Sequence, residues 1–256
     1  MMRLTFSFPS TTLLRPVEIM AALPCGFSTA KPPYRVLWAL HCAMENGAFF
    51  FDRLYAADIV DNEQIVFVAP SLGNGYFVNS PFEAQGDFLQ EMLTALRESL
   101  PLSRRREDNA VIGVSMGGFG ALRWALDSGC FGRIAAISGV FDAHIPPDDR
   151  IQKKRVQRAL YLSVGKIMQR ILLDIEGRTR TEADFERLFQ KVKGAFPYVY
   201  LYCGEDDYLS LPQTKWLEEL GKLYKCPVQR CLSSGEHDLV YWRSIFPRVV
   251  HDLLAS

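Results

Sequence analysis

An excess of charge of either sign is missing from this chain: 29 Lys and Arg face 29 Asp and Glu across 256 residues. A nucleic-acid-binding surface carries a basic surplus, so this balance argues against nucleic acid as a partner. Histidine is scarce at four residues, and the six cysteines (Cys25, Cys42, Cys130, Cys203, Cys226, Cys231) form no CxxC pair. Their spacing fits no zinc site. A bridge between Cys226 and Cys231 is conceivable, but Cys42, Cys130, Cys203 and Cys231 sit beside apolar or small residues, which suits reduced, buried thiols. No apolar run approaches the roughly 18 residues of a membrane span. The opening Met1-Met2-Arg3-Leu4-Thr5-Phe6 lacks the apolar stretch of a secretory signal, and Pro24 before Cys25 disfavours lipoprotein processing. Together these absences predict a soluble, cytoplasmic protein with neither a nucleic-acid nor a membrane partner.

What is present suits a folded core. Apolar residues make up 48% and aromatics 12% of the chain, which excludes disorder. Short, continuously apolar runs at 36–40, 65–69, 110–112, 134–137 and 198–202 read as strands buried on both faces, as parallel sheets require, and a last strand is expected at 228–232. Between them lie helical spacings: Phe88, Met92, Leu93 and Leu96; Trp216, Leu217 and Leu220; and a closing stripe from Trp242 to Leu253. Pro247 is expected to start, kink or break that last helix. The residues before Pro24 read as an antiparallel pair leading into the sheet. Alternating strands and helices predict an α/β fold with a mainly parallel sheet covered on both faces. Residues from about 141 to 193 hold helical patches (159–175 and 181–192) and no convincing strand. They read as a small helical cap inserted in one domain spanning 1–256, and Phe49-Phe50-Phe51 reads as core.

One motif dominates. Gly113-Val114-Ser115-Met116-Gly117 follows the apolar run ending at Ile112 and precedes a helical pattern from Ala121. A GxSxG sequence on a sharp strand-to-helix turn holds its serine in a strained backbone with the hydroxyl exposed at the sheet edge. A serine hydroxyl is a weak nucleophile, so a base must reach it and a third group must orient the base. Of the three histidines after Ser115, His237 lies in a loop between the last strand and the final helix. His251 falls within that helix, and His144 precedes any acid in the chain order Ser–acid–His that this turn implies. The acid should end the preceding strand, where Glu205, Asp206 and Asp207 stand in a row, and spacing does not choose among them.

The segment Gly113-Val114-Ser115-Met116-Gly117-Gly118-Phe119-Gly120-Ala121-Leu122 resembles the nucleophile region of the esterase D-like family of α/β-hydrolases. The resemblance runs from about Arg15 to the C-terminus and is nearest to the tributyrin esterase and S-formylglutathione hydrolase types. Leu40-His41 is similar to the family's Leu-His-Gly turn, Pro70 to Tyr76 to its next loop, and Cys203 to Leu209 to its Cys-Gly-x-Glu-Asp-Phe-Leu segment. Gly235-Glu236-His237-Asp238 and Trp242 match its histidine loop. The resemblance implies an α/β-hydrolase fold and a serine carboxylesterase acting on short acyl esters. Its catalytic residues would be Ser115, His237 and Asp207, with Asp206 the second choice for the acid. Oxyanion donors are implied at the N–H of Met116 and of Cys42 or Ala43, and substrate contacts at His41, Asn74 and Trp242. No metal or organic cofactor is implied, the partner is a small acyl ester or thioester, and the family permits a homo-oligomer. Two positions depart from its pattern: Cys42 stands in place of glycine, and Leu239 in place of a frequent tryptophan. Alternatives within reach are a thioester hydrolase of the S-formylglutathione type, an acetyl or feruloyl esterase of carbohydrates, and a non-catalytic ligand-binding homologue on the same fold.

Overall fold

A computed structural model describes residues 1–29, 33–174, 176–181, 183–192 and 194–255. Its centre is an eight-stranded sheet. Strands β1 (Met2–Ser10) and β2 (Arg15–Leu23) form an antiparallel hairpin, and β2 also pairs antiparallel with β4 (Val66–Pro70). The remaining strands, β3 (Val36–Leu40), β5 (Asn109–Val114), β6 (Arg133–Ile137), β7 (Tyr198–Gly204) and β8 (Val228–Ser233), run parallel to one another and to β4. The spatial order is β1-β2-β4-β3-β5-β6-β7-β8, so β5 lies inside the sheet and β8 is a free edge.

Pleating explains why the central strands read as unbroken apolar runs. Along β3, Val36, Trp38 and Leu40 enter one core while Leu37 and Ala39 enter the other. The first core is covered by α3 (Gln85–Ser99), α4 (Met116–Ser128), α5 (Arg155–Leu172), α6 (Phe185–Lys191) and α7 (Leu211–Leu223). The second is covered by α1 (Phe49–Asp52), α2 (Ala57–Glu63) and α8 (Leu239–Leu254). Phe49, Phe50 and Phe51 are buried there, as expected of core.

Two expectations need correction. Helix α8 neither starts nor breaks at Pro247 but runs through it. Phe246, Val249, Val250 and Leu253 are all buried, and this packing holds the helix despite the hydrogen bond that proline removes. Cys226 and Cys231 are free thiols, in line with the reduced reading. In the insertion, α5 begins at Arg155 rather than 159 and ends at Leu172, and α6 covers only Phe185–Lys191; residues 175 and 182 of the expected patches, and 193 at the end of the insertion, lie outside the described residues. The insertion is also more than a cover. Phe185 stacks edge-on against Phe119 of α4 and against Phe141, joining it to the first core.

Candidate active site

The β5–α4 turn is built by close backbone approach. A side chain at Gly113 would lie 1.9 Å from the Gly117 carbonyl oxygen, and one at Gly117 would lie 1.9 Å from that of Leu40. Only glycine lets the turn close this tightly against β3. Ser115, between them, adopts φ 52° and ψ −114°, a strained conformation for a residue with a side chain. Its own N–H donates to the Ile137 carbonyl at 2.8 Å, which ties the turn to β6.

The loops after β7 and β8 bring the other two groups to this turn. Asp238 caps α8 by accepting from the Tyr241 N–H at 2.9 Å, and so fixes the backbone just after His237. His237 Nε2 lies 3.1 Å from Ser115 Oγ, and its Nδ1 lies 3.0 and 3.1 Å from the two carboxylate oxygens of Asp207. All three residues are buried, and Asp207 is fully enclosed. The three carboxylates in a row separate by orientation. Glu205 is exposed, Asp206 accepts from the Tyr208 hydroxyl at 2.7 Å, and Asp207 alone turns inward to His237.

Burial alone would push the Asp207 carboxyl up. The opposing pull of His237's charge and hydrogen bond, the Ser210 N–H and the Ser138 hydroxyl outweighs it and holds Asp207 below its ordinary value. Neither serine was legible in the sequence as part of a site. The Ser138 side chain also accepts from Trp242 Nε1 at 3.0 Å, while Ser210 Oγ donates to the Ser138 carbonyl at 2.8 Å and lies 3.0 Å from His237 Nδ1. With its proton committed to that carbonyl, Ser210 Oγ presents a lone pair to Nδ1–H, as Asp207 does. Both neighbours favour the tautomer that leaves Nε2 bare towards Ser115.

Ser115 and His237 open onto a cavity of about 330 Å³. Its walls are mainly apolar: Val140, Leu160, Val164 and Met168 on one side, Leu239 and Trp242 on another. Cys42 and Ala43 line it next to Ser115. Burial pushes the Cys42 thiol up to about 12, so it stays protonated and is no rival nucleophile. Met116 is fully buried at the first position of α4, where the backbone N–H has no acceptor within the helix.

Two expected substrate contacts are placed elsewhere. His41 is fully buried and does not line the cavity: its Nε2 accepts from the Leu72 N–H at 3.1 Å, so Nδ1 carries the proton and donates to the Cys42 carbonyl at 2.8 Å. Burial pushes the His41 ring down, in keeping with a neutral imidazole. Asn74 likewise lies off the cavity, accepting from the Met44 N–H at 2.8 Å. Both brace the 42–44 turn instead of touching substrate, because the glycine-bearing loop after β4 folds back onto that turn. Trp242 does line the cavity, edge-on to the His237 ring with centroids 5.2 Å apart.

With this geometry in hand, comparison with known proteins is informative. The model of the family described as putative esterase matches residues 10–253. An acetyl esterase of Caldicellulosiruptor saccharolyticus is 28% identical over 257 residues, covering 92% of each chain. Among solved structures, the fluorophosphonate-binding serine hydrolase FphF of Staphylococcus aureus aligns with a TM-score of 0.81 at 20% identity, covering 100% of this chain and 99% of its own. The S-formylglutathione hydrolase FrmB of the same organism aligns with a TM-score of 0.77 at 20% identity over 99% and 98%. These likenesses show an α/β-hydrolase fold over the described chain.

Proposed function

The chain belongs to the putative esterase family and is a serine ester hydrolase, and on that premise we propose that it cleaves short-chain acyl esters with Ser115, His237 and Asp207 as its triad. The observation that carries the proposal is the unbroken line Ser115 Oγ–His237 Nε2 and Nδ1–Asp207, each step 3.0–3.1 Å, at the floor of an apolar cavity. In this reading Ser115 Oγ attacks the ester carbonyl carbon as its proton passes to His237 Nε2. Asp207 steadies the imidazolium. The tetrahedral intermediate collapses, His237 protonates the departing alkoxide, and the acyl group stays on Ser115. Water then repeats the sequence, with His237 as base, to release the acid.

Charge builds on the carbonyl oxygen in both steps, and a preorganised donor there is worth about 2.7–4 kcal/mol. The Met116 N–H supplies one donor in this proposal. The second comes from Cys42 or Ala43, and Ala43 is the better supported. The Cys42 carbonyl points to His41 Nδ1, and peptide planarity turns the Ala43 N–H the opposite way. That the 28%-identical relative is an acetyl esterase supports acetyl and similarly small acyl groups as the substrates of this chain.

The test is turnover of a p-nitrophenyl ester series, from acetate to decanoate, by the wild type and Ser115→Ala. Turnover peaking at short chains and falling on the order of 10⁶-fold in the variant is expected if the three groups act as a unit. Substantial turnover by Ser115→Ala would remove the serine mechanism, and a peak at long chains would remove the short-acyl reading.

A further inference from the structure

The helical insertion reaches the loops that carry the acid and the base as well as the cavity wall. Gln157, in the first turn of α5, is buried at 3% exposure. Its Nε2 donates to the Asp206 carbonyl at 2.9 Å and to Glu236 Oε2 at 3.1 Å, and its Oε1 accepts from the Tyr208 N–H at 3.1 Å. Asp206 and Tyr208 flank Asp207, and Glu236 immediately precedes His237. One primary amide therefore grips the backbone on both sides of the acid and the side chain next to the base. Lys154, one turn earlier, donates to the other Glu236 oxygen at 2.5 Å and completes the hold on that loop.

A buried amide needs partners wherever it sits, but this one could have been satisfied within its own helix or by a single neighbour. It instead uses three of its four hydrogen-bonding capacities across the two loops that carry Asp207 and His237. The backbone links the same segments twice, with the Asp206 N–H donating to the Gly235 carbonyl at 3.0 Å and the Glu205 N–H to the Ser233 carbonyl at 2.9 Å. The same helix presents Leu160, Val164 and Met168 to the cavity, so the wall that an acyl group touches and the amide that spaces the loops belong to one rigid element.

We propose that Gln157 is a positioning residue for the ester hydrolysis: it sets the Asp207–His237 register by clasping the two loops that carry them, and so makes the insertion part of the catalytic apparatus. This rests on the triad reading above. The physical consequence is specific. If the clasp opens, Asp207 no longer sits squarely on His237 Nδ1, and the imidazolium that forms during the reaction loses part of its stabilisation. Misplacement of a catalytic group by about 1 Å costs up to about 10²-fold in rate.

Three variants test this: Gln157→Leu, which removes every contact; Gln157→Glu, which keeps the acceptor for Tyr208 but sets a carboxylate against Glu236; and Gln157→Glu combined with Glu236→Gln, which exchanges donor and acceptor across that contact. Each is assayed on p-nitrophenyl acetate across pH, beside the wild type and Ser115→Ala, with circular dichroism as the check on folding. The groups bearing on the exchanged pair are Lys154, Asp206, Tyr208 and Arg150, and all are kept. Expected for the first two variants is a fall in kcat on the order of 10–100-fold with KM within about twofold. In Gln157→Leu, which adds no charge, the acid limb of kcat/KM should also move to lower pH, since a less stabilised imidazolium gives up its proton sooner. The exchanged pair should recover part of the lost kcat. Folded variants with wild-type kcat and an unmoved acid limb would overturn the proposal. So would loss of folding in all three, which would make Gln157 a scaffold residue only. Turnover surviving in Ser115→Ala would instead overturn the triad itself, so the two failures are told apart.

Discussion

Strain and hydrogen-bond supply at single residues account for most of the site's geometry. Ser138 adopts a left-handed φ of 51° at the end of β6, and from there its hydroxyl serves both Trp242 and Asp207. Replacing it with alanine should leave the Trp242 N–H buried without a partner and Asp207 with one donor fewer. A loss of about 1–3 kcal/mol in urea unfolding is expected, and wild-type stability in Ser138→Ala would contradict the network. Gly113→Ala should be worse. The new carbon would meet the Gly117 carbonyl inside van der Waals contact, so soluble, folded protein should not accumulate. Residue chemistry also marks how far the sequence could be read. The GxSxG turn and its histidine were legible because glycine and the strand-to-helix switch encode them locally. The choice of Asp207 over Glu205 and Asp206 was not, because it depends on which way each side chain leaves the end of β7. The side chains of Ser138 and Ser210 carry no local signal at all: Ser138 serves Asp207 and Trp242, 69 and 104 residues away in sequence, and Ser210 meets His237 and Ser138, 27 and 72 residues away.

Elements differ in what holds them. The turn of the β1–β2 hairpin is fastened to α3 by Glu91, whose carboxylate accepts from the hydroxyls of Ser10 and Thr11 and the N–H groups of Thr11 and Thr12. Partial burial pushes this carboxyl up, but those donors outweigh it and bring it down to about 2 from an ordinary 4.5. A depressed value in the folded state means stabilisation that is full above about 4.5 and fades as pH falls towards 2. Glu91→Gln should therefore lower the melting temperature at neutral pH, with the gap to wild type closing near pH 2. An equal gap at both would refute the assignment. Helix α5 offers a second case. Gly165 lies in its interior and lines the cavity, yet an added Cβ would meet nothing closer than the Tyr161 ring at 3.7 Å. Gly165→Ala should thus stabilise the chain by about 0.5–1 kcal/mol in thermal or urea unfolding. The elements that the sequence left unseen, α1 and α2, span only 4 and 7 residues, too short for a helical period to emerge. The Phe49-Phe50-Phe51 run obscures it further, because all three side chains are buried.

For the whole molecule, the insertion and the sheet share one core, since Phe185 packs on Phe119 and Phe141. Deleting residues 149–192 should give a chain with helical far-ultraviolet but no near-ultraviolet circular dichroism, which binds the dye ANS, because it uncovers that aromatic cluster. A compact, cooperatively melting deletion variant would show the insertion to be separable after all. The parallel architecture was readable in advance because burial on both faces leaves continuous apolar strands, whereas long-range closures such as the 42–44 turn held by His41 and Asn74 leave no trace in composition. The sheet order has a last consequence. The serine sits beyond β5, deep within the sheet, but the base sits just beyond β8, a half-exposed edge strand paired on one side only. Proteins loosen by sub-global openings, and the least-supported unit opens first. Fraying of that rim would separate His237 from Ser115 while both cores stayed intact, so on gentle heating this protein should fall silent before it melts.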